Sequence, residues 1–171
     1  MRLFTAINFS SEIKDTVRDI TEILRAMSKK GNFTLRDNIH LTLAFIGDYP
    51  SHYAPLRAVN SVSFEPFSLC FEKLGFFKNT GGDICYLAFK KSKELTELQH
   101  KLCVALKEQG VGFDEKEFKP HLTLARQFSP TESFSAEKIN AMLPQTEILV
   151  ERIGLMKSER INGVLKYTEI R

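Results

Sequence analysis

The spacing of apolar residues changes between two periods along this chain, and the same order of periods occurs twice. Residues 3–9 have the composition of a strand, and in about residues 11–29 the apolar positions recur every three or four residues, as on one face of a helix. Residues 84–89 and about 92–109 repeat this order. The pattern therefore predicts two copies of a strand–helix unit.

A short motif follows each predicted helix. Residues 40–45 and 121–126 agree at five of six positions, both beginning His-Leu-Thr-Leu-Ala, and they lie 81 residues apart. Self-similarity over such a distance indicates an internal repeat. Polar and apolar residues alternate at the start of each motif, so each motif is predicted to be a strand.

The parallel continues beyond the motifs. Residues 72–78 resemble residues 151–157, and each segment leads to a residue pair that is typical of a hairpin turn, Gly81-Gly82 in one case and Asn162-Gly163 in the other. A further strand is predicted after each turn. The repeat therefore covers a strand, a helix, a second strand and a hairpin.

A duplicated unit of this kind predicts an α+β fold. We expect two antiparallel sheets with helices packed on their outer faces, related by a pseudo-two-fold axis. The length of 171 residues suits one domain. Residues 1–171 are therefore expected to form a single domain built from two similar halves.

Each motif carries a histidine and a threonine two residues apart. Because side chains alternate between the faces of a strand, His40 and Thr42 point to one side, with leucines behind them. His121 and Thr123 repeat the arrangement. If the two strands face each other across the pseudo-two-fold axis, two imidazoles and two hydroxyls converge on one point.

Such a group suits in-line displacement at a phosphodiester. One imidazole can take a proton from the attacking water while the other protonates the departing oxygen, since the unperturbed pKa of histidine is about 6.5. The threonine hydroxyls can donate hydrogen bonds to the non-bridging oxygens. A lone histidine in an apolar strand is more often structural, but duplication of the whole motif favours catalysis.

Composition and charge argue against a metalloprotein and against a membrane protein. The formal net charge of +3 permits an anionic ligand without requiring one. The three cysteines lack C-x-x-C spacing, and neither motif has the carboxylate or third histidine that would complete a metal site. We expect no metal and no cofactor. No apolar stretch approaches the ~20 residues of a membrane helix, so we expect a cytoplasmic protein with no membrane contact.

Three segments together resemble a known family. They are residues 2–7 at the start of the chain, residues 38–47 around the first motif and residues 119–126 around the second. Paired His-x-Thr motifs at this separation resemble the RNA 2′,3′-cyclic phosphodiesterases of the two-histidine phosphoesterase superfamily, also named 2′-5′ RNA ligases. The resemblance covers essentially the whole chain and implies a bilobal fold with a catalytic cleft between the two sheets.

The resemblance also implies an activity. It is the metal-independent hydrolysis of a terminal 2′,3′-cyclic phosphate, on RNA or on a small cyclic nucleotide, to a 2′-phosphate. By this analogy His121 is the expected base and His40 the expected acid, while Thr42, Thr123 and Arg126 are expected to bind the phosphate. Arg126 matches an arginine that is common after the second motif in this family. We expect the protein to be a monomer.

Regular strand alternation places Arg126 on the side opposite His121 and Thr123. Five residues after His121, Arg126 should face the leucine side of a regular strand, so it reaches the cleft only from the rim or if the strand ends or bulges before it. Phe45 takes the same place in the first motif. The two halves are therefore not equivalent, and substrate is expected to bind asymmetrically.

Other contacts with RNA are left open by the sequence. Aromatic residues that could stack on a terminal base are Phe9, Phe128 and Tyr167, and basic residues that could contact the backbone are Lys119, Arg36 and Arg160, with core or solvated surface as the alternative for each. Residues 48–61 and 127–135 are expected to be the loops that shape the cleft. His52 and His100 lie outside the repeat and are expected to face solvent.

Two other functions would use the same motifs. A non-catalytic nucleotide-binding module would keep the fold without turnover, and a phosphodiesterase or ligase acting on 2′-5′ linkages would have a different substrate. Intact histidines and threonines in both motifs favour an enzyme. The sequence contains no P-loop and no nucleotide-activating lysine motif, which argues against ligation as the main activity.

Overall fold

Ten strands and four helices make up the computed structural model, which describes residues 1–171. The helices are α1 (Ser11–Ala26), α2 (Tyr53–Ser61), α3 (Lys93–Glu108) and α4 (Ala136–Ala141). The strands of the first half are β1 (Arg2–Asn8), β2 (Ser28–Phe33), β3 (His40–Asp48), β4 (Phe67–Leu69) and β5 (Phe71–Phe77). Those of the second half are β6 (Asp83–Phe89), β7 (His121–Pro130), β8 (Ile148–Val150), β9 (Gly154–Ile161) and β10 (Val164–Ile170). A 3₁₀ turn at Arg36–Asn38 precedes β3.

The strands form two antiparallel four-stranded sheets. Their strand orders are β10-β9-β1-β3 and β2-β7-β6-β5, and β4 pairs with β8 separately. The triplets β9-β1-β3 and β5-β6-β7 correspond, because β1 and β6 open the two halves and β3 and β7 carry the motifs. Each sheet takes strands from both halves of the chain. The predicted α+β class with two antiparallel sheets is confirmed.

The two long helices follow the predicted pattern closely. The hydroxyl of Ser10 accepts a hydrogen bond from the Ile13 amide at the start of α1, and the hydroxyl of Ser92 accepts one from the Leu95 amide at the start of α3. Each helix buries one apolar face, and the buried apolar residues of both join a core cluster of 34 residues that extends through both sheets. No helix has the length and apolar content that a bilayer crossing requires.

Strand β2 corrects the prediction for the first helix. The helical pattern was expected to run to about residue 29, but α1 ends at Ala26 and β2 begins at Ser28. Strand β2 lies at the edge of its sheet and pairs with β7, which aligns Phe33 with Ala125. Its sequence is polar and lacks alternation, so pairing with β7, which comes almost 90 residues later, determines its conformation.

Equivalent bulges interrupt the two motif strands. In β3, Ala44 lies opposite Thr5 and Thr42 lies opposite Ala6, so Leu43 has no partner of its own in β1. The extra residue reverses the alternation of faces, and Leu43 and Ala44 are consecutively buried. The Thr5 hydroxyl donates a hydrogen bond of 3.3 Å to the Ala44 carbonyl. The residue after the bulge, Phe45, therefore lies on the same side as Thr42.

The bulge in β7 has the same register. Ala125 lies opposite Cys85 and Thr123 lies opposite Tyr86, which leaves Leu124 as the extra residue. Arg126 consequently lies on the same side of β7 as Thr123. The bulge was one of the conditions under which Arg126 was expected to reach the cleft.

Candidate active site

A cleft of about 960 Å³ opens beside the contact between β3 and β7. Its lining includes all five predicted site residues, His40, Thr42, His121, Thr123 and Arg126. Because each motif starts its strand and each bulge follows the threonine, the polar residues of both strands reach the same space. The fold thus brings together the two halves of the predicted site.

Both imidazoles are oriented by a backbone carbonyl. The Nδ1 atom of His40 lies 2.6 Å from the Asn38 oxygen, and the Nδ1 atom of His121 lies 2.6 Å from the Lys119 oxygen. A carbonyl oxygen can only accept, so Nδ1 carries the proton in both rings. In each neutral ring the Nε2 atom therefore remains available as an acceptor. The Nε2 atom of His40 lies 3.0 Å from the Thr42 hydroxyl, which donates to it.

Burial lowers the pKa of both imidazoles. Burial is the main cause of the shift that lowers the pKa of His40 to about 4, and the charges of His121 and Arg126 add to it, while the hydrogen bond to Asn38 opposes it. Burial also lowers the pKa of His121, with a contribution from the Arg126 charge and an opposing one from the hydrogen bond to Lys119. A bound phosphate has the opposite effect, because an adjacent anion favours the imidazolium form.

Two aromatic rings pack against each imidazole. The His40 ring centroid lies 4.9 Å from that of Phe4 and 5.1 Å from that of Tyr167. These contacts limit rotation of the ring and exclude water from one side of it. Phe4 and Tyr167 also contact each other edge to face, at 4.9 Å.

The second imidazole has similar surroundings. The His121 centroid lies 5.0 Å from that of Phe77 and 5.3 Å from that of Tyr86. Gly75 lies opposite Tyr86 in the sheet, and a Cβ atom at Gly75 would come within 2.5 Å of the tyrosine ring. Glycine at this position therefore leaves the space that the tyrosine ring occupies beside His121.

Asn38 is a site residue that the sequence did not single out. Its side chain is buried, donates a hydrogen bond of 2.8 Å to the Leu165 carbonyl and accepts one of 3.1 Å from the Tyr167 amide. Asn38 thus bonds to the free edge of β10 as a neighbouring strand would. Because its own carbonyl orients His40, Asn38 links the C-terminal hairpin to the first imidazole.

The other candidates for RNA contacts divide into two groups. Tyr167 and Arg160 line the cleft. The suggestion that Phe9 or Phe128 stacks on a base is wrong, because both rings are buried in the core. Lys119 and Arg36 lie outside the cleft and form ion pairs with neighbouring carboxylates.

The expected cleft loops are also corrected. Residues 48–61 and 127–135 contribute nothing to the cleft lining, because the first segment contains α2 and the second continues β7. The lining comes instead from residues 32–35 and from the hairpin of β9 and β10. His100 is exposed as expected, whereas His52 is half-buried beside Tyr53, and neither lines the cleft.

The donor set of the cleft is poor in metal ligands. No group of three or more histidine, cysteine, aspartate or glutamate side chains has an arrangement that could hold a metal ion. The cleft lining carries imidazoles, hydroxyls, guanidiniums and amides with a single carboxylate, Glu159, and the hydrogen-bond donors among them suit a phosphate anion.

Comparison with known proteins places the chain among relatives of this architecture. The profile of the 2′-5′ RNA ligase superfamily matches residues 9–162. An RNA 2′,3′-cyclic phosphodiesterase of Archaeoglobus fulgidus is 33% identical over 129 residues, which cover 74% of this chain and 72% of the relative. One of the same name from Geobacillus stearothermophilus is 28% identical over 96% of this chain, and the alignment covers 56% of that protein's length.

Solved structures share the fold. TT0787 of Thermus thermophilus superposes with a TM-score of 0.80 at 24% identity, over 100% of this chain and 96% of the other. LigT of E. coli, in complex with 3′-AMP, superposes with a TM-score of 0.75 at 22% identity, over 99% of this chain and 94% of the other. The extent of the profile match and the identity with the Archaeoglobus protein establish that the chain belongs to the 2′-5′ RNA ligase superfamily.

Proposed function

We propose that the chain is a phosphodiesterase that hydrolyses the 2′,3′-cyclic phosphate at an RNA end to a 2′-phosphate. The observation that carries this proposal is the pair of imidazoles on one cleft, each with its Nδ1 atom bound to a carbonyl and its Nε2 atom left for proton transfer. The Archaeoglobus and Geobacillus relatives are RNA 2′,3′-cyclic phosphodiesterases, which supports a cyclic phosphate as the substrate. LigT, which shares the fold, forms a complex with 3′-AMP, and this supports a nucleotide as a ligand of the present chain.

The proposed reaction needs one proton acceptor and one proton donor. Water attacks the phosphorus atom and loses a proton to the Nε2 atom of one neutral imidazole. The bond between phosphorus and O3′ breaks, and O3′ receives a proton from the Nε2 atom of the other histidine, which enters the step as imidazolium. The products are a 2′-phosphomonoester and a free 3′-hydroxyl, and the charge of the histidine pair is unchanged.

The remaining polar groups are proposed to stabilise the phosphate. The hydroxyls of Thr42 and Thr123 donate to the non-bridging oxygens, where negative charge increases in the transition state. The Thr42 hydroxyl donates to the Nε2 atom of His40, and we propose that it turns to the phosphate when substrate binds. Arg126 supplies a positive charge near both imidazoles, since it affects the pKa of each.

The assignment of acid and base follows from the family resemblance, with His121 as base and His40 as acid. Burial favours the neutral form of His40, so this assignment requires the bound phosphate to raise its pKa. A substrate with a p-nitrophenolate leaving group separates the roles, because that group departs without a proton. We expect the His40→Gln variant to regain turnover on such a substrate and the His121→Gln variant to remain inactive; the opposite result would exchange the two roles.

The test of the proposed function is turnover of an oligoribonucleotide ending in a 2′,3′-cyclic phosphate, in the presence of EDTA. We expect a 2′-phosphate product, and a loss of about 10²–10⁴-fold in kcat in the His40→Gln and His121→Gln variants, the usual scale for general acid–base catalysis. His100→Gln is the matched control, because His100 is exposed and lies outside the cleft.

Three outcomes would contradict parts of the proposal. Binding of the cyclic phosphate without product would identify a nucleotide-binding module. Activity that EDTA abolishes would overturn metal independence. Cleavage or joining of 2′-5′ linkages at a much higher rate than cyclic phosphate opening would replace the proposed substrate.

A further inference from the structure

Two arginines in the cleft have no acceptor for their guanidinium groups. Six of the nine arginines of the chain bond to a carboxylate or a carbonyl oxygen. The other three are Arg2, Arg57 and Arg126, and two of these, Arg2 and Arg126, line the cleft. Arg126 belongs to the phosphate site already described, so the role of Arg2 is unassigned.

Arg2 is held on the cleft wall by an aromatic ring. Its guanidinium carbon lies 5.1 Å from the centroid of Phe45, the residue that the bulge in β3 turns toward the cleft. A cation–π contact fixes the position of a guanidinium while leaving its N–H groups free to donate. Phe45 is 36% exposed although it is a large apolar residue. The pair thus presents a positive charge and an apolar surface to whatever enters the cleft.

The position of Arg2 separates it from the phosphate between the two histidines. Phe45 lies opposite Phe4 and Thr42 lies opposite Ala6, so the two positions are two residues apart along β1, which corresponds to about 7 Å of strand. Arg2 lies opposite Asp48 at the start of β1, two residues before Phe4, and Phe4 is the residue of this strand that contacts His40, so Arg2 is about 7 Å farther along the strand. Arg2 is therefore placed to bind a second anion.

The size and charge of the cleft fit a ligand that is longer than one nucleotide. A volume of about 960 Å³ is at the upper end of the range for small-molecule sites. The charged residues of the lining, apart from the histidines, are three arginines and Glu159, and Glu159 pairs with Lys157 at 2.7 Å. The excess of positive charge extends beyond the histidines to the end where Arg2 lies.

We infer that Arg2, supported by Phe45, binds the internucleotide phosphate that precedes the terminal nucleotide of an RNA substrate. This inference rests on the proposed function and makes its substrate more specific. The enzyme then acts on oligoribonucleotide ends in preference to mononucleoside 2′,3′-cyclic phosphates, because only the former carry the second phosphate.

The test compares kcat/KM on three substrates: a nucleoside 2′,3′-cyclic phosphate, a trinucleotide with the same terminal group, and that trinucleotide with a neutral methylphosphonate in place of the last internucleotide phosphate. We expect the intact trinucleotide to be preferred by about tenfold or more, the scale of one charge-assisted contact. Arg2→Ala should remove that preference and leave the mononucleotide value unchanged. Arg57→Ala is the matched control, because Arg57 is also unpaired but lies outside the cleft.

The methylphosphonate substrate removes the contact from the substrate side, since it lacks the charge that Arg2 is inferred to bind. The wild type should turn over this substrate with the kcat/KM that Arg2→Ala shows on the intact trinucleotide. Arg2→Ala should show no further loss of kcat/KM on the methylphosphonate, because the contact is already absent. Arg2→Ala should also reduce the dependence of log KM on log salt concentration by about 0.7, the value for one phosphate contact on a single strand.

The outcomes separate this inference from the proposed function. Equal loss on all three substrates in Arg2→Ala, or full activity on the methylphosphonate, would overturn the role of Arg2 while leaving the phosphodiesterase in place. Absence of turnover of every cyclic phosphate by the wild type would instead overturn the proposed function.

Discussion

At the scale of single residues, the burial of His40 has a consequence for stability. The pKa of His40 is lowered to about 4 in the folded protein, against about 6.5 in an unfolded chain. Between these values the unfolded state binds more protons, so the folded state loses stability as pH falls from about 6.5 toward 4. We expect this group to reduce the free energy of unfolding by on the order of 3 kcal/mol across that window.

The measurement is urea unfolding of the wild type and the His40→Gln variant at several pH values. The difference between their free energies of unfolding should shrink or reverse in favour of the variant as pH falls through this window. A difference that stays constant with pH would show that His40 titrates normally. Inorganic phosphate should reduce the loss of wild-type stability at low pH, because a bound anion stabilises the imidazolium form of His40.

The sequence predicted directly that four polar residues of the two motifs would meet in one cleft. His40, Thr42, His121 and Thr123 were predictable because the motif is duplicated and strand alternation fixes which residues share a face. Arg126 required knowledge of a bulge, whose register depends on the pairing of β7 with β6. Side chains that join distant segments, of which Asn38 is the main case, give no periodic signal.

At the scale of elements, Asn38 fastens the 3₁₀ turn before β3 to the edge of β10. We expect Asn38→Ala to cost about 1–3 kcal/mol of stability, because the variant leaves partly buried backbone groups of β10 without partners. It should also lower kcat more than it raises KM, since the carbonyl that orients His40 loses its anchor. Urea unfolding and steady-state kinetics on the cyclic phosphate substrate test both effects.

Lys119→Ala is the matched control for this prediction. Lys119 has the same place before the second histidine, and its carbonyl orients His121, but its side chain pairs only with the exposed Glu117. Loss of a surface ion pair costs at most about 1 kcal/mol, so this variant should keep nearly full stability and kcat. Equal behaviour of the two variants would remove Asn38 from the positioning of His40.

Some helices and strands could be predicted from the sequence and others could not. The two long helices and the hairpins carry strong local signals, in the form of capping serines, apolar faces and turn residues, and Asn162 and Gly163 adopt the positive φ values that their turn requires. Strand β2 has no such signal, because its partner strand lies far away in sequence. Helix α2 is short and begins without a side-chain cap, so its sequence has no strong helix signal, and residues 48–61 were predicted to be a loop.

At the scale of the whole molecule, the two halves of the repeat are interleaved. Strands β9 and β10 complete the sheet of β1, while β2 and β5 complete the sheet of β6. We therefore expect one cooperative unfolding transition rather than two, and no stable structure in a chain that ends at residue 81. Calorimetry of the full chain and circular dichroism of the fragment test this; two separate transitions, or a folded fragment, would contradict the proposed single domain.

The central claim is that both imidazoles act on the same phosphate, and a crystal structure with a 2′-nucleotide product bound tests it most directly. The account predicts that the Nε2 atoms of His40 and His121 both lie within hydrogen-bonding distance of oxygens on one phosphorus atom. A product phosphate bound to one histidine, with the other out of reach of its oxygens, would contradict it.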